Sequence, residues 1–104
     1  MLKRMSLKNE EKTYRIILPS KGRGLKEIKR LYKRRERQVE KAIKKLQKFP
    51  TNISQKGIEK LKNPIFGQYS IRVAAGDRIF YDVNSQTGEV YILRAGKHDI
   101  YKRL

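Results

Sequence analysis

Two hydrophobic periods divide the chain. Leu25, Ile28, Leu31 and Tyr32, and then Val39, Ala42, Ile43 and Leu46, recur at intervals of three and four residues. That spacing gathers side chains into one stripe along a helix. From Gly67 onward the period becomes two. Tyr69, Ile71 and Val73 alternate with Ser70, Arg72 and Ala74, and after the turn Ala75-Gly76-Asp77, Ile79, Tyr81 and Val83 alternate with Arg78, Phe80 and Asp82. Alternation of this kind marks strands with one buried face, here joined as a hairpin. A second turn, Asn84-Ser85-Gln86-Thr87-Gly88, leads to a last strand over residues 90–94, and the β-rich stretch 13–18 (TYRIIL), stopped by Pro19, predicts a first strand ahead of the helices.

Residues 33–37 (KRRER) place charges where one continuous helix would need a core side chain, so two helices folded as a hairpin are predicted. A single bent helix is the alternative, since neither Gly nor Pro marks the break. Phe49-Pro50 ends the helical run, and residues 51–64 read as a connecting loop with a turn near Gly57. The expected order is β-α-α-β-β-β: an α+β fold with a helical hairpin packed on one face of a small antiparallel sheet, the first strand pairing at an edge or beside the last strand. Joining the apolar faces of the hairpin sets Val73 opposite Ile79 and Ile71 opposite Tyr81, because a slip of one residue would turn the core set toward water. Arg72 and Arg78 then share a face.

A chain of 104 residues that is 38% hydrophobic supports one core, so a single domain is expected over residues 1–104, with its core at about 13–101. The absence of cysteine rules out a disulfide framework, a thiolate zinc site and a thiol nucleophile, and fits a reducing cytoplasm. No apolar run reaches membrane-spanning length, and charges interrupt residues 1–12 too often for a secretory leader. The expected location is therefore cytoplasmic, with no membrane partner. Charge changes the picture most: 27 Lys and Arg against 10 Asp and Glu give a formal +17. So large a charge on so small a domain points to nucleic acid or the ribosome. If about six of these cations met phosphates, log affinity would fall with log salt at a slope of roughly −5.

Arg72 and Arg78 on one strand face form a candidate clamp for a scissile phosphate. RNA carries its own nucleophile in the 2′-hydroxyl, so cleavage needs in-line geometry, cations for the extra negative charge, and groups that move protons. His98 titrates nearest neutrality and is the candidate for proton transfer, with Asp99 to restrain it, although a lone histidine in a polar tail is often a plain surface residue. Tyr101 has four open roles: donating a proton, stacking on a base, holding a phosphate or packing against the sheet. Lys56, Lys60 and Lys62 in the loop, with Arg94 and Lys97 on and after the last strand, are candidate RNA contacts. No His/Asp/Glu cluster at metal-ligand spacing, no Gly-rich phosphate loop before a helix and no Ser-His-Asp set is present, so no metal or organic cofactor is expected.

The stretch LKNPIFGQYSIRVAAGDRIFYDVNSQTGEVYILRAGKHDIY resembles the C-terminal half of RelE/ParE-superfamily toxins. The features that carry it are Tyr-x-Ile-Arg-Val, a Gly turn, Arg-Ile-x-Tyr-x-Val, a variable hairpin, and Val-x-Ile-Leu-x-x-Gly before a basic end. The upstream strand and helices match in order and length, so the resemblance spans about residues 13–101. It implies a single toxin domain partnered by a RelB-like antitoxin and, in the RelE-like branch, an endoribonuclease (an mRNA interferase) that cuts messenger RNA in the ribosomal A site. It places Arg72 at a commonly basic position, Arg78 on the arginine after the Gly turn, and His98 where a YafQ-like subgroup has a histidine for proton transfer. Two departures stand out: Ser70 replaces a lysine that can act as base, and the interval from His98 to Tyr101 is shorter than the family's. Whether His98 is base or acid is open. ParE-like members share the architecture and poison DNA gyrase instead, and a basic RNA- or ribosome-binding protein without catalysis is a third possibility.

Overall fold

The computed structural model describes residues 13–97; His98, Asp99 and Tyr101 lie outside the described residues. Along the chain run β1 (Arg15–Ile17), α1 (Gly22–Arg34), α2 (Glu36–Lys48), β2 (Ile58–Lys60), a 3-10 turn (Pro64–Phe66), β3 (Tyr69–Ala74), β4 (Asp77–Asn84) and β5 (Glu89–Lys97). The sheet order is β1-β5-β4-β3-β2, and both helices pack on one of its faces. The fold class is α+β, as the alternating periods predict.

The helical hairpin forms where the charged interval predicts it. Arg35 leaves helical geometry (φ −134°, ψ 46°), yet its N–H still donates to the Leu31 carbonyl and its own carbonyl accepts from Val39, each at 2.8 Å. The turn between the helices thus costs few backbone hydrogen bonds. Ile28 and Leu31 from α1 and Val39, Ala42 and Leu46 from α2 are buried against Ile58, Ile71, Ile79, Tyr81, Val90, Ile92 and Ala95 of the sheet. Each large aliphatic side chain so buried contributes roughly 1.5–3 kcal/mol. Tyr81 is buried with its hydroxyl donating to the Pro50 carbonyl at 2.6 Å, and burial pushes its phenol pKa up.

Three features depart from the predicted arrangement. Within the predicted loop 51–64, Ile58–Lys60 pairs antiparallel with β3 (Ile58 opposite Ile71, Lys60 opposite Tyr69); three residues are too few to display a period. The sheet is mixed rather than antiparallel, because β1 runs parallel to β5, with Ile16 opposite Val90. The direction of β1 follows from where it must deliver the chain. Gly24, in the first turns of α1, lies so close to β5 that a Cβ there would stand 2.1 Å from the Leu93 carbonyl oxygen, so α1 has to begin beside the second half of β5. The hairpin register is shifted by two residues: Ile71 faces Ile79, Tyr69 faces Tyr81 and Arg72 faces Arg78, with a bulge between Arg72 and Ala74. Asp77 pairs with Ala74, which leaves a two-residue turn with Ala75 at positive φ (50°), and the bulge takes up Val73. A shift of two preserves the faces, so the predicted core set stays inside.

Candidate nucleic-acid interface

The face of the sheet turned away from the helices carries the alternate residues of β3 and β4: Ser70, Arg72, Arg78 and Phe80. Part of it is apolar. Leu61, Phe66 and Phe80 form a cluster, the two phenyl rings meeting edge to face at 5.6 Å. Beside that cluster lie Ser70, Arg72 and Arg78. Arg72 and Arg78 are directly opposed across the strands, a juxtaposition of like charges that is destabilising unless an anion settles it.

Their surroundings differ. Arg72 is exposed, whereas Arg78 is only 7% exposed. The Arg78 guanidinium donates to the Ser70 hydroxyl at 3.0 Å and pairs with the Glu59 carboxylate at 3.5 Å. Ser70 is wholly buried and Glu59 is half exposed. The Arg78 side chain is therefore held by a buried hydroxyl and by a half-exposed, replaceable acid. Neither partner is legible in the sequence as a contact of Arg78. Glu59 sits in the strand that the pattern did not reveal, and Ser70 enters through the register that sets it opposite Phe80.

Asp77, read in the sequence as a turn residue, is fully buried beside Arg78. Arg34 and Arg35 from the bend between the helices stand 3.5 and 3.6 Å from its carboxylate, and Lys97 at the end of β5 stands 3.5 Å away. Among the described residues neither carboxylate oxygen has a hydrogen-bond partner. Asp77 thus draws the helical bend and the last strand together by charge.

The remaining sequence candidates divide. Lys60 and Lys62 are exposed, on and just after β2. Lys56 is exposed beside α2 and lines a cleft with Arg72. Lys97 is exposed as well as paired to Asp77. Arg94 is committed elsewhere: its Nε and Nη2 donate to the two Glu27 oxygens at 2.7 and 2.8 Å, and its guanidinium lies 4.3 Å from the centre of the Phe66 ring. Glu27 also accepts the Ala95 N–H at 3.1 Å, so this α1 carboxylate docks the helix on the edge of β5 beyond the end of β1. Burial pushes the Glu27 pKa up, but the hydrogen bonds from Arg94 and Ala95 with the charges of Arg94 and Arg23 outweigh it and hold the pKa below the usual glutamate value. Among the described residues no group of three His, Asp or Glu side chains is placed to hold a metal ion, and no helix is long and apolar enough to cross a membrane.

On the helix-covered side, a largely apolar groove of about 820 Å³ opens between β1 and the hairpin, lined among others by Ile16, Leu18, Ile28, Val39 and Ile43. Leu18 is 53% exposed there. Tyr32 stands at the same groove with its hydroxyl donating to Glu40 at 2.9 Å, and these contacts, with the charge of Glu36, push its pKa up to about 12.

No protein-family model matches the chain, and no curated protein matches it. Among solved structures, a chain of the toxin-antitoxin complex RelBE2 from Mycobacterium tuberculosis is similar, with a TM-score of 0.52 at 16% sequence identity, over 83% of this chain and 99% of that one. A helical hairpin on a five-stranded mixed sheet is thus the fold that this chain shares with a component of that toxin-antitoxin complex.

Proposed function

We propose that the chain is the toxin of a type II toxin-antitoxin pair and acts as an endoribonuclease that cleaves messenger RNA in the ribosomal A site. The observation that carries this reading is the direct opposition of Arg72 and Arg78 on the uncovered face of the sheet. Two guanidinium groups on adjacent strands match a phosphate that gains negative charge as the 2′-hydroxyl attacks, and preorganised donors of this kind typically supply a factor of 10²–10³ each. Ser70 and Glu59 hold Arg78 before RNA arrives; the phosphate then displaces Glu59. His98 moves a proton, as base toward the 2′-hydroxyl or as acid toward the 5′-oxygen, and Tyr101 completes the site. Lys60, Lys62 and Lys97 meet neighbouring phosphates. The fold likeness to a chain of a toxin-antitoxin complex supports the toxin assignment.

The same likeness supports an antitoxin partner. An amphipathic acidic helix suits the apolar groove at Leu18, Ile28 and Ile43, with the +17 charge of the toxin drawing it in. Neutralisation then combines steric cover with charge compensation.

The test is primer-extension mapping of a defined messenger RNA incubated with the protein, with and without programmed ribosomes, beside Arg78→Ala and His98→Ala. Cuts that require the ribosome and disappear in both variants are expected. If the wild-type protein leaves the message intact under both conditions, the nuclease reading fails, and inhibition of gyrase supercoiling becomes the next measurement.

A further inference from the structure

We propose that a basic cleft between α2 and the outer edge of β3 is a second phosphate-binding subsite, which holds the backbone of single-stranded nucleic acid away from the Arg78 pocket. The inference rests on nucleic acid being the ligand, as in the reading above, but not on cleavage.

The cleft measures about 410 Å³, and among the described residues its walls include Lys41, Lys45, Lys56 and Arg72 but no acidic side chain. Gln38, Lys41 and Lys45 recur at intervals of three and four, so one face of α2 presents all three. Ala42 on the same helix and Ile71 on β3, both buried, form the floor.

The far wall is fixed by hydrogen bonds to two loop carbonyls. Lys45 Nζ donates to the Lys56 carbonyl at 3.1 Å, and the Arg72 N–H donates to the Gly57 carbonyl at 2.9 Å. Gly57 has φ +91°, and a Cβ there would touch Arg72 Cβ at 3.4 Å; the left-handed glycine is what lets this loop approach β3. Three lysines thus border a preformed hollow, with Arg72 at the edge it shares with the open face, and no acidic side chain among the described residues lines it. Such a concentration of like charge is repulsive until an anion enters.

Phosphate suits the hollow better than a partner's carboxylates. The apolar groove on the other side of the hairpin already offers the long greasy surface that an amphipathic helix needs, whereas this cleft is short and rimmed by cations. It also shares Arg72 with the open face. A strand whose scissile phosphate met Arg78 would pass Arg72 and continue into the cleft.

The test is fluorescence anisotropy of a labelled, non-cleavable 2′-O-methyl RNA oligonucleotide over a range of salt concentrations. Lys41→Gln/Lys56→Gln is compared with Lys26→Gln/Lys33→Gln, which removes the same charge from exposed positions on α1. The cleft pair is expected to weaken binding about tenfold or more near 0.1 M salt and to reduce the log–log slope by about 1.4, the change for two lost phosphate contacts to a single strand. The α1 pair should cost less than about threefold, with little change of slope. Equal losses in both variants would reduce the effect to bulk charge and overturn the subsite, as would stronger competition by a poly-glutamate peptide than by an unlabelled oligonucleotide of equal charge. Urea unfolding midpoints of both variants that match the wild type secure the comparison. Cleavage of an unmodified message is followed in parallel: wild-type protein that binds through the cleft without cutting removes the nuclease reading and keeps the subsite, whereas cutting with unchanged binding by Lys41→Gln/Lys56→Gln removes the subsite alone.

Discussion

The two faces of the sheet are built from the same strands, one residue out of phase, and they serve opposite ends. Toward the helices, Ile71, Ile79, Tyr81, Val90 and Ile92 are sealed from water to 2% exposure or less. Away from the helices, Ser70, Arg78 and Glu59 meet in a polar patch beside Arg72, next to the cluster of Leu61, Phe66 and Phe80. Strand alternation therefore lets a small domain concentrate its stability on one side and leave charge unresolved on the other. The cost is local: two arginines directly opposed, relieved by one replaceable glutamate.

If that division holds, neighbouring residues on β4 should fail in different ways. Ile79→Ala empties a fully buried position and should destabilise the protein by about 2–5 kcal/mol, read as a lower urea midpoint at unchanged slope, while the fraction still folded cleaves RNA normally. Arg78→Ala should lower cleavage by roughly 10²–10³, with a stability loss of about 1–3 kcal/mol from the stranded Ser70 hydroxyl and the lost charged hydrogen bond. Full cleavage by Arg78→Ala would erase the functional half of the comparison. A cleavage defect in folded Ile79→Ala would show that the faces are not separable.

Glu27 tests how the covered side is closed where β1 ends. Glu27→Gln loses charge-assisted hydrogen bonds to Arg94 and should cost about 1.5–3 kcal/mol. Because its folded-state pKa is depressed, Glu27 contributes stability that is fully present above the unfolded value of about 4.3 and is lost as pH falls through the folded pKa. The difference in unfolding free energy between wild type and Glu27→Gln should accordingly be constant near neutrality and shrink on acidification below that value. A gap that persisted at pH 2 would assign the effect to packing rather than charge.

The covered face was legible in the sequence because periodicity reports burial. Helical stripes, strand faces and the break at residues 33–37 all follow from which side chains avoid water. The open face was legible only in part. Arg72 and Arg78 share a face in any register of the right parity, so their association survived a register shift of two. Their direct opposition did not follow from the pattern, because it depends on a bulge and a two-residue turn at Ala75-Gly76. Glu59 was hidden for another reason: β2 owes its place to pairing with β3, and a three-residue edge strand has no pattern of its own. Arg94 looked like a free cation because sequence spacing cannot show that α1 brings a carboxylate to β5 from 67 positions away.

Glu59→Gln should produce the smallest effect on stability and addresses the open face most directly. The Arg78 ion pair is long and its acid half exposed, so its loss should change unfolding free energy by less than about 1 kcal/mol. Arg78 would keep its hydrogen bond to Ser70 but would no longer have to exchange a carboxylate for a phosphate. RNA affinity should rise by roughly two- to fivefold at low salt, the equivalent of the exposed pair that need not be broken, and the gain should fade as salt screens it. In kinetics the change should appear as a lower KM at nearly constant kcat, since Glu59 competes with the ground state of the bound strand. The opposite outcome has its own meaning: a collapse of kcat with RNA still bound would make the Glu59 carboxylate the proton acceptor for the 2′-hydroxyl, and would leave His98 as the acid.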